Sequence, residues 1–210
     1  MPDSLATVTK IQMDIEDCLR SVGEVFRAFR DQDSTCISYG VLSSDRHWFV
    51  KHSDHPRVLP LERVYNLNMD VRHAALPRLS NRFETVNGVA LVYDWVPSEN
   101  LYASSRYSAA RLRVDLTIPR VRFWLAPVDD IVQSLNTIFD VQLTLADRGY
   151  VAVDLYDGCF SRRMDGDGSH AIGNIKGHFG KPLSATPVRS RVCRGLEIRR
   201  LSGASLSDNK

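Results

Sequence analysis

Apolar positions along this chain switch between two periods, and the switches mark its elements. Ile11, Ile15, Cys18 and Leu19 fall at helical spacing, so residues 4–21 are expected to be helical, with Asp3 or Ser4 capping the start. Residues 22–30 fit a helix or a strand. Asp31-Gln32-Asp33-Ser34 is a polar turn. Residues 36–42 and 47–52 then read as two strands around Ser43-Ser44-Asp45, a hairpin. Leu61, Val64, Tyr65, Leu67 and Val71 predict a helix of about three turns over 59–71, with Pro60 in its tolerant first turn. Strands follow at 83–86 and 89–96, joined at Asn87-Gly88, a favoured hairpin dipeptide. Pro97-Ser98-Glu99-Asn100 ends the second. Residues 101–120 follow neither period. From Pro127 to Arg148 a broad apolar face of Ile131, Leu135, Ile138, Phe139, Val141, Leu143 and Leu145 predicts a long helix, with Gly149 as its C-terminal cap. A short apolar run, Val151 to Val153, then leads to Asp154. No internal repeat is present.

The order strand, strand, helix, strand, strand, then helix implies an α+β fold with an antiparallel sheet. At 210 residues the chain makes one domain or slightly more. No apolar run approaches the roughly 18 residues of a membrane span, and no basic-then-apolar leader opens the chain. Cys18, Cys36, Cys159 and Cys193 are widely spaced with no Cys-x-x-Cys, which suits reduced thiols in a cytoplasmic protein. The net charge of +2 hides an asymmetry: residues 1–160 sum to −4 and residues 161–210 to +6. Phe179 is the single aromatic in that last stretch, which is rich in Ser, Arg and Gly. Such a composition predicts a poorly ordered basic tail from about residue 161. The expected divisions are an N-terminal extension at 1–21, a sheet-bearing unit at 22–100, a partly helical unit at 101–160 and the tail at 161–210.

Several stretches, in order, carry a resemblance. They are Ser38-Tyr39-Gly40-Val41, Trp48-Phe49-Val50-Lys51, Arg72-His73-Ala74-Ala75-Leu76-Pro77, Leu91-Val92-Tyr93-Asp94-Trp95-Val96 and Gly149 to Phe160. Together they resemble an actinobacterial family of protein-kinase-like proteins over residues 22–160, from small lobe to catalytic loop. The resemblance implies a serine/threonine-kinase-like phosphotransferase using ATP and Mg²⁺ on an unknown protein or small-molecule acceptor. Lys51, on a strand of the Val-Ala-Ile-Lys kind, would reach the α/β-phosphates, and Glu62 would pair with it from the helix. Asp94, Trp95 and Val96 would form the hinge that meets adenine. Glu99 or Asn100 would meet the ribose. Asp154 would accept the proton of the acceptor hydroxyl.

Departures from the pattern are equally specific. No glycine lies between Asp31 and Cys36, where a phosphate-covering loop belongs. Val153 stands where an arginine precedes the catalytic Asp, and Cys159 stands five positions after Asp154 in place of a metal-binding Asn. No Asp-Phe-Gly or Ala-Pro-Glu follows. His178-Phe179-Gly180 is a chance likeness, since imidazole is a poor ligand for Mg²⁺. Metal ligands are therefore unidentified, with Asp157, Asp165 and Asp167 as remaining carboxylates. The chain thus reads as truncated, or read in a shifted frame after Phe160. The alternative function is a non-catalytic pseudokinase that binds nucleotide or protein. Nucleic-acid binding by Arg189, Arg191, Arg194, Arg199 and Arg200 is disfavoured because no aromatic is interleaved for base stacking.

Overall fold

The computed structural model describes residues 5–30, 36–54, 59–101, 114–154, 159–163, 172–175 and 178–180. Its centre is a five-stranded antiparallel sheet in the order β1-β2-β3-β5-β4. The strands are β1 Glu24–Phe29, β2 Ile37–Ser43, β3 Arg46–Asp54, β4 Leu79–Thr85 and β5 Gly88–Asp94. Helix α1, Ile15–Val22, precedes the sheet, and α2, Leu59–Asp70, connects β3 to β4. The α+β class and the antiparallel sheet expected from the sequence are therefore present.

Alternation along β3 and β5 divides the core. Trp48, Val50, Ala90 and Val92 face one side, where Tyr39, Phe83, Leu5, Val8, Ile11, Ile15 and Leu19 complete a cluster. Phe49, Leu91, Tyr93 and Val89 face the other, against Leu61, Val64 and Tyr65 of α2. Both faces of the central strands are thus covered, which is why β5 is buried from Gly88 to Tyr93.

The N-terminal segment differs from expectation. Helix begins only at Ile15, capped by Asp14, whose side chain accepts from Glu16 N–H at 2.7 Å. Residues 5–11 instead cross β4: Ile11 N donates to Glu84 O at 2.9 Å, and Glu84 N donates to Thr9 O at 3.0 Å. Their three-residue apolar spacing reflects three anchor points rather than a helical turn. Gly88 at the hairpin has a steric reason: a Cβ there would lie 2.0 Å from Ser53 O.

Downstream, β6 Ser98–Asn100 pairs with β8 Phe160–Arg163, which pairs with β9 Ile172–Ile175. A separate pair joins β7 Val151–Asp154 to β10 His178–Gly180. Two helices, α3 Pro119–Trp124 and α4 Val128–Asp147, lie between β6 and β7. The predicted cap of α4 is realised. Gly149 has φ of 73°, its N–H meets Ala146 O at 2.9 Å, and Tyr150 N–H meets Leu145 O at 2.9 Å. Val141, Leu145 and Tyr150 then pack on Leu67, Val71 and Ala75 after α2. Three strands, β8 to β10, fall in the stretch whose composition predicts poor order. The remainder of that stretch, residues 164–171, 176–177 and 181–210, lies outside the described residues.

Candidate functional site

Lys51 sits in the middle of β3, opposite Ser38 of β2 and Leu91 of β5. Directly opposed residues share a face, so Ser38, Lys51, Leu91 and Arg82 form one row across four strands on the α2 side. The lysine is half-buried in that row. Burial pulls its pKa below the ordinary lysine range, against a smaller opposing effect of the Cys36 and Cys159 thiols. Cys36 and Cys159 are themselves buried. Cys36 and Cys159 thus both lie within electrostatic reach of Lys51. Tyr93 shares this environment: burial pushes its phenol well above the usual range, and Cys36 adds to the effect.

Glu62 does not serve Lys51. It sits in the first turn of α2 and accepts a hydrogen bond from Arg82 Nη2 on β4. Arg82 also stacks over the Tyr65 ring at 5.4 Å. Because β5 lies between β3 and β4, Lys51 and Arg82 stand about 10 Å apart in backbone position. The helix carboxylate is thus drawn to the far strand. Sequence reasoning missed Arg82 because β4 was expected to start at Phe83. Its register opposite Leu91 is the signal that places it on the Lys51 face.

The expected hinge is built from polar and aromatic contacts. Asp94 ends β5, and its Oδ1 accepts from Arg46 Nη2 at 2.6 Å and from Ser80 Oγ at 3.1 Å. The Trp95 N–H is not open to an adenine edge in this arrangement, since it donates to His47 O at 3.1 Å. The Trp95 ring meets Phe26 edge-on at 4.9 Å and Phe49 at 6.3 Å. Phe26 and Trp95 together cover Gly40, where a Cβ would come within 2.6 Å of Phe26. Val96 is half-buried beside them in sequence. Glu99 is paired with Arg122 of α3, which removes it as a free ribose ligand. Asn100 sits at the end of β6 opposite Ser161.

Asp154 ends β7, opposite His178 of β10. Its side chain, and residues 155–158 with Asp157, lie outside what is described, as do Asp165 and Asp167. Helix α4 packs on β7, and α2 packs on β10, so the strand bearing Asp154 is braced by both. A second brace fixes the turn after α2. His73 Nδ1 accepts from Ala75 N–H at 3.0 Å, which leaves Nε2–H to donate to Asp140 of α4 at 2.9 Å.

No set of three His, Cys, Asp or Glu side chains among the described residues converges on a point that would hold a metal ion. Cys159 offers a soft thiol where Mg²⁺ requires hard oxygen. The described donors therefore do not fit Mg²⁺, and no chemical step is assigned to it. His52 is a core histidine rather than a ligand: it is buried, with Nε2 3.1 Å from Thr85 Oγ1. Two surface hollows lie against α1 rather than beside Lys51. One is lined by Asp14, Ile15, His52 and Thr85, the other by Glu16, Arg20, Arg30 and Tyr39. No helix among the described residues is long and apolar enough to cross a membrane. No protein-family model matches the chain, and no curated protein matches it in sequence.

Proposed function

We propose that this chain is a kinase-like ATP-binding protein of the phosphotransferase type, with Lys51 as its phosphate ligand. One observation carries the reading. Lys51, half-buried in the middle of the sheet on the face that α2 covers, lies within electrostatic reach of Cys159, from just beyond the Asp154 strand. Two stretches distant in sequence are thereby within electrostatic reach, although Cys159 itself departs from the kinase pattern. The helix between the third and fourth strands, packed on the Lys51 face, supports the same reading.

In this reading the Lys51 ammonium binds the α/β-phosphates, and residues 94–96 flank the base. The acceptor hydroxyl oxygen attacks the γ-phosphorus while the bond to the β–γ bridging oxygen breaks. ADP leaves, and the hydroxyl proton passes to Asp154. Mg²⁺ supplies charge neutralisation in such reactions, and its ligands here are not among the described donors.

A second reading, a non-catalytic pseudokinase that binds nucleotide or protein, is favoured by two observations. Glu62 is committed to Arg82, and a thiol stands at position 159. The experiment that separates the readings pairs nucleotide binding with a γ-phosphate transfer assay on the full chain. ATP binding with transfer that disappears in Asp154→Ala supports a phosphotransferase. Binding without transfer supports the pseudokinase. Absence of any ATP or ADP binding overturns the phosphotransferase and the nucleotide-binding form of the pseudokinase.

A further inference from the structure

Helix α4 has two apolar faces, and among the described residues the core covers only one. Ser134, Val141 and Leu145 are buried, at rotational positions grouped on one side. On the opposite side Val128, Val132, Leu135, Phe139 and Leu143 are exposed, Phe139 by 62% and Leu143 by 60%. Their steps of four, three, four and four keep them in a single stripe. Leu125 and Trp124, exposed by 63% and 50%, extend the apolar surface past the helix N-terminus. Single exposed apolar residues need no explanation, but a contiguous row does.

Charge along the stripe is one-sided. The helix carries Asp129, Asp130, Asp140 and Asp147 and no Lys or Arg. At about 100° per residue, Asp129, Asp140 and Asp147 fall in one row along one border of the stripe, Asp140 already holding the His73 imidazole at 2.9 Å. The other border, Ile131, Ile138 and Gln142, is uncharged.

We propose that this stripe is a docking face for an amphipathic helix of another protein, whose apolar ridge is bordered by Lys or Arg. Charge complementarity selects this occupant over a second copy packed antiparallel, and gives a parallel second copy no attraction of its own. In an antiparallel pair of identical helices each border meets itself. Asp129 of one copy would then approach Asp140 of the other, twice by symmetry, and like charges at that spacing repel. A basic border turns the same contacts into attractions. The helix is about 30 Å long and offers five apolar anchors, enough for a helix-in-groove contact and short of an obligate interface.

The test uses the full chain and two labelled synthetic helical peptides with the same leucine ridge, one bordered by Lys and one by Glu. Fluorescence anisotropy should show the Lys peptide binding roughly tenfold tighter, as three exposed ion pairs would give. The advantage should shrink in about 1 M salt, where the Debye length falls to roughly 3 Å. Phe139→Asp and, separately, Leu135→Asp should abolish binding while circular dichroism stays unchanged, since both residues point away from the core. Asp129→Lys with Asp147→Lys should shift the preference to the Glu peptide. Equal binding of both peptides, or binding untouched by both stripe variants, overturns the proposal. So does a concentration-dependent dimer lost in Phe139→Asp, which makes a second copy the occupant. Failure of the Lys peptide to bind, with slow amide exchange at 128–143 in the monomer, assigns the face to the chain's own remaining segments and equally overturns it.

Discussion

At the scale of single residues, the polar side chains of β4 explain most of what the sequence concealed. Ser80 donates to Asp94, Asn81 donates to the carbonyls of Leu5 and Val8, and Arg82 donates to Glu62. A strand whose first residue, Leu79, is followed by three polar ones has no alternation to read, so its start and the Glu62 partner were both invisible. Lys51 was legible because it follows three strand-forming residues, but its place on the sheet face that α2 covers is set by the fold. The Arg82 pairing predicts that Glu62→Ala leaves nucleotide affinity within about twofold and costs less than about 1 kcal/mol, as half-exposed ion pairs do. Titration calorimetry and urea denaturation would measure both, and a large loss of affinity would mean that Glu62 serves Lys51 after all. His52 gives a pH prediction. Burial depresses its pKa, against the weaker opposing effects of Asp54 and Asp14. Above pH of about 6.5 both folded and unfolded chains hold it neutral. As pH falls below that value the unfolded chain takes up the proton first, so stability declines towards the lower folded pKa. His52→Gln should reduce the loss of stability between about pH 6.5 and 5. An unchanged slope would contradict the assignment of His52 as a buried neutral group.

Among the elements, those with persistent period and clear punctuation were legible. Helix α2 was expected at 59–71 and spans Leu59–Asp70, and α4 was expected at 127–148 and spans Val128–Asp147. Strand β1 was ambiguous for a physical reason: it lies at the sheet edge and is exposed at four of its six residues, so neither period is enforced. Edge position also means that its pairing with β2, not burial, defines it. The two faces of α4 make a prediction that separates packing from exposure. Leu145 is fully buried against α2 and Tyr150, whereas Leu143 is 60% exposed. Leu145→Ala should cost about 2–5 kcal/mol, and Leu143→Ala less than about 0.5 kcal/mol. Chemical denaturation of both variants checks the difference, and equal costs would place Leu143 under cover.

Taken whole, the molecule joins the five-stranded sheet to a second set of short strands through the 94–101 segment. The join is physical: Leu101 N–H bonds to Phe160 O at 3.0 Å, Glu99 pairs with Arg122, and His73 reaches Asp140. Such contacts link residues far apart in sequence and leave no periodic trace, so the order of elements was legible and their junction was not. The central claim is that Lys51, held in the middle of the sheet, binds the phosphates of a nucleotide. Calorimetric titration of ATP with Mg²⁺ into the full chain, the Lys51→Ala variant and the Asp154→Ala variant tests it directly. A charge-assisted phosphate contact of about 1.5–3 kcal/mol predicts saturable binding that weakens roughly 10- to 100-fold in Lys51→Ala. In the proposed reading Asp154 serves the acceptor hydroxyl rather than the nucleotide, so Asp154→Ala should bind ATP nearly as well as the unaltered chain. No binding by the unaltered chain, or equal binding by Lys51→Ala, would contradict the account.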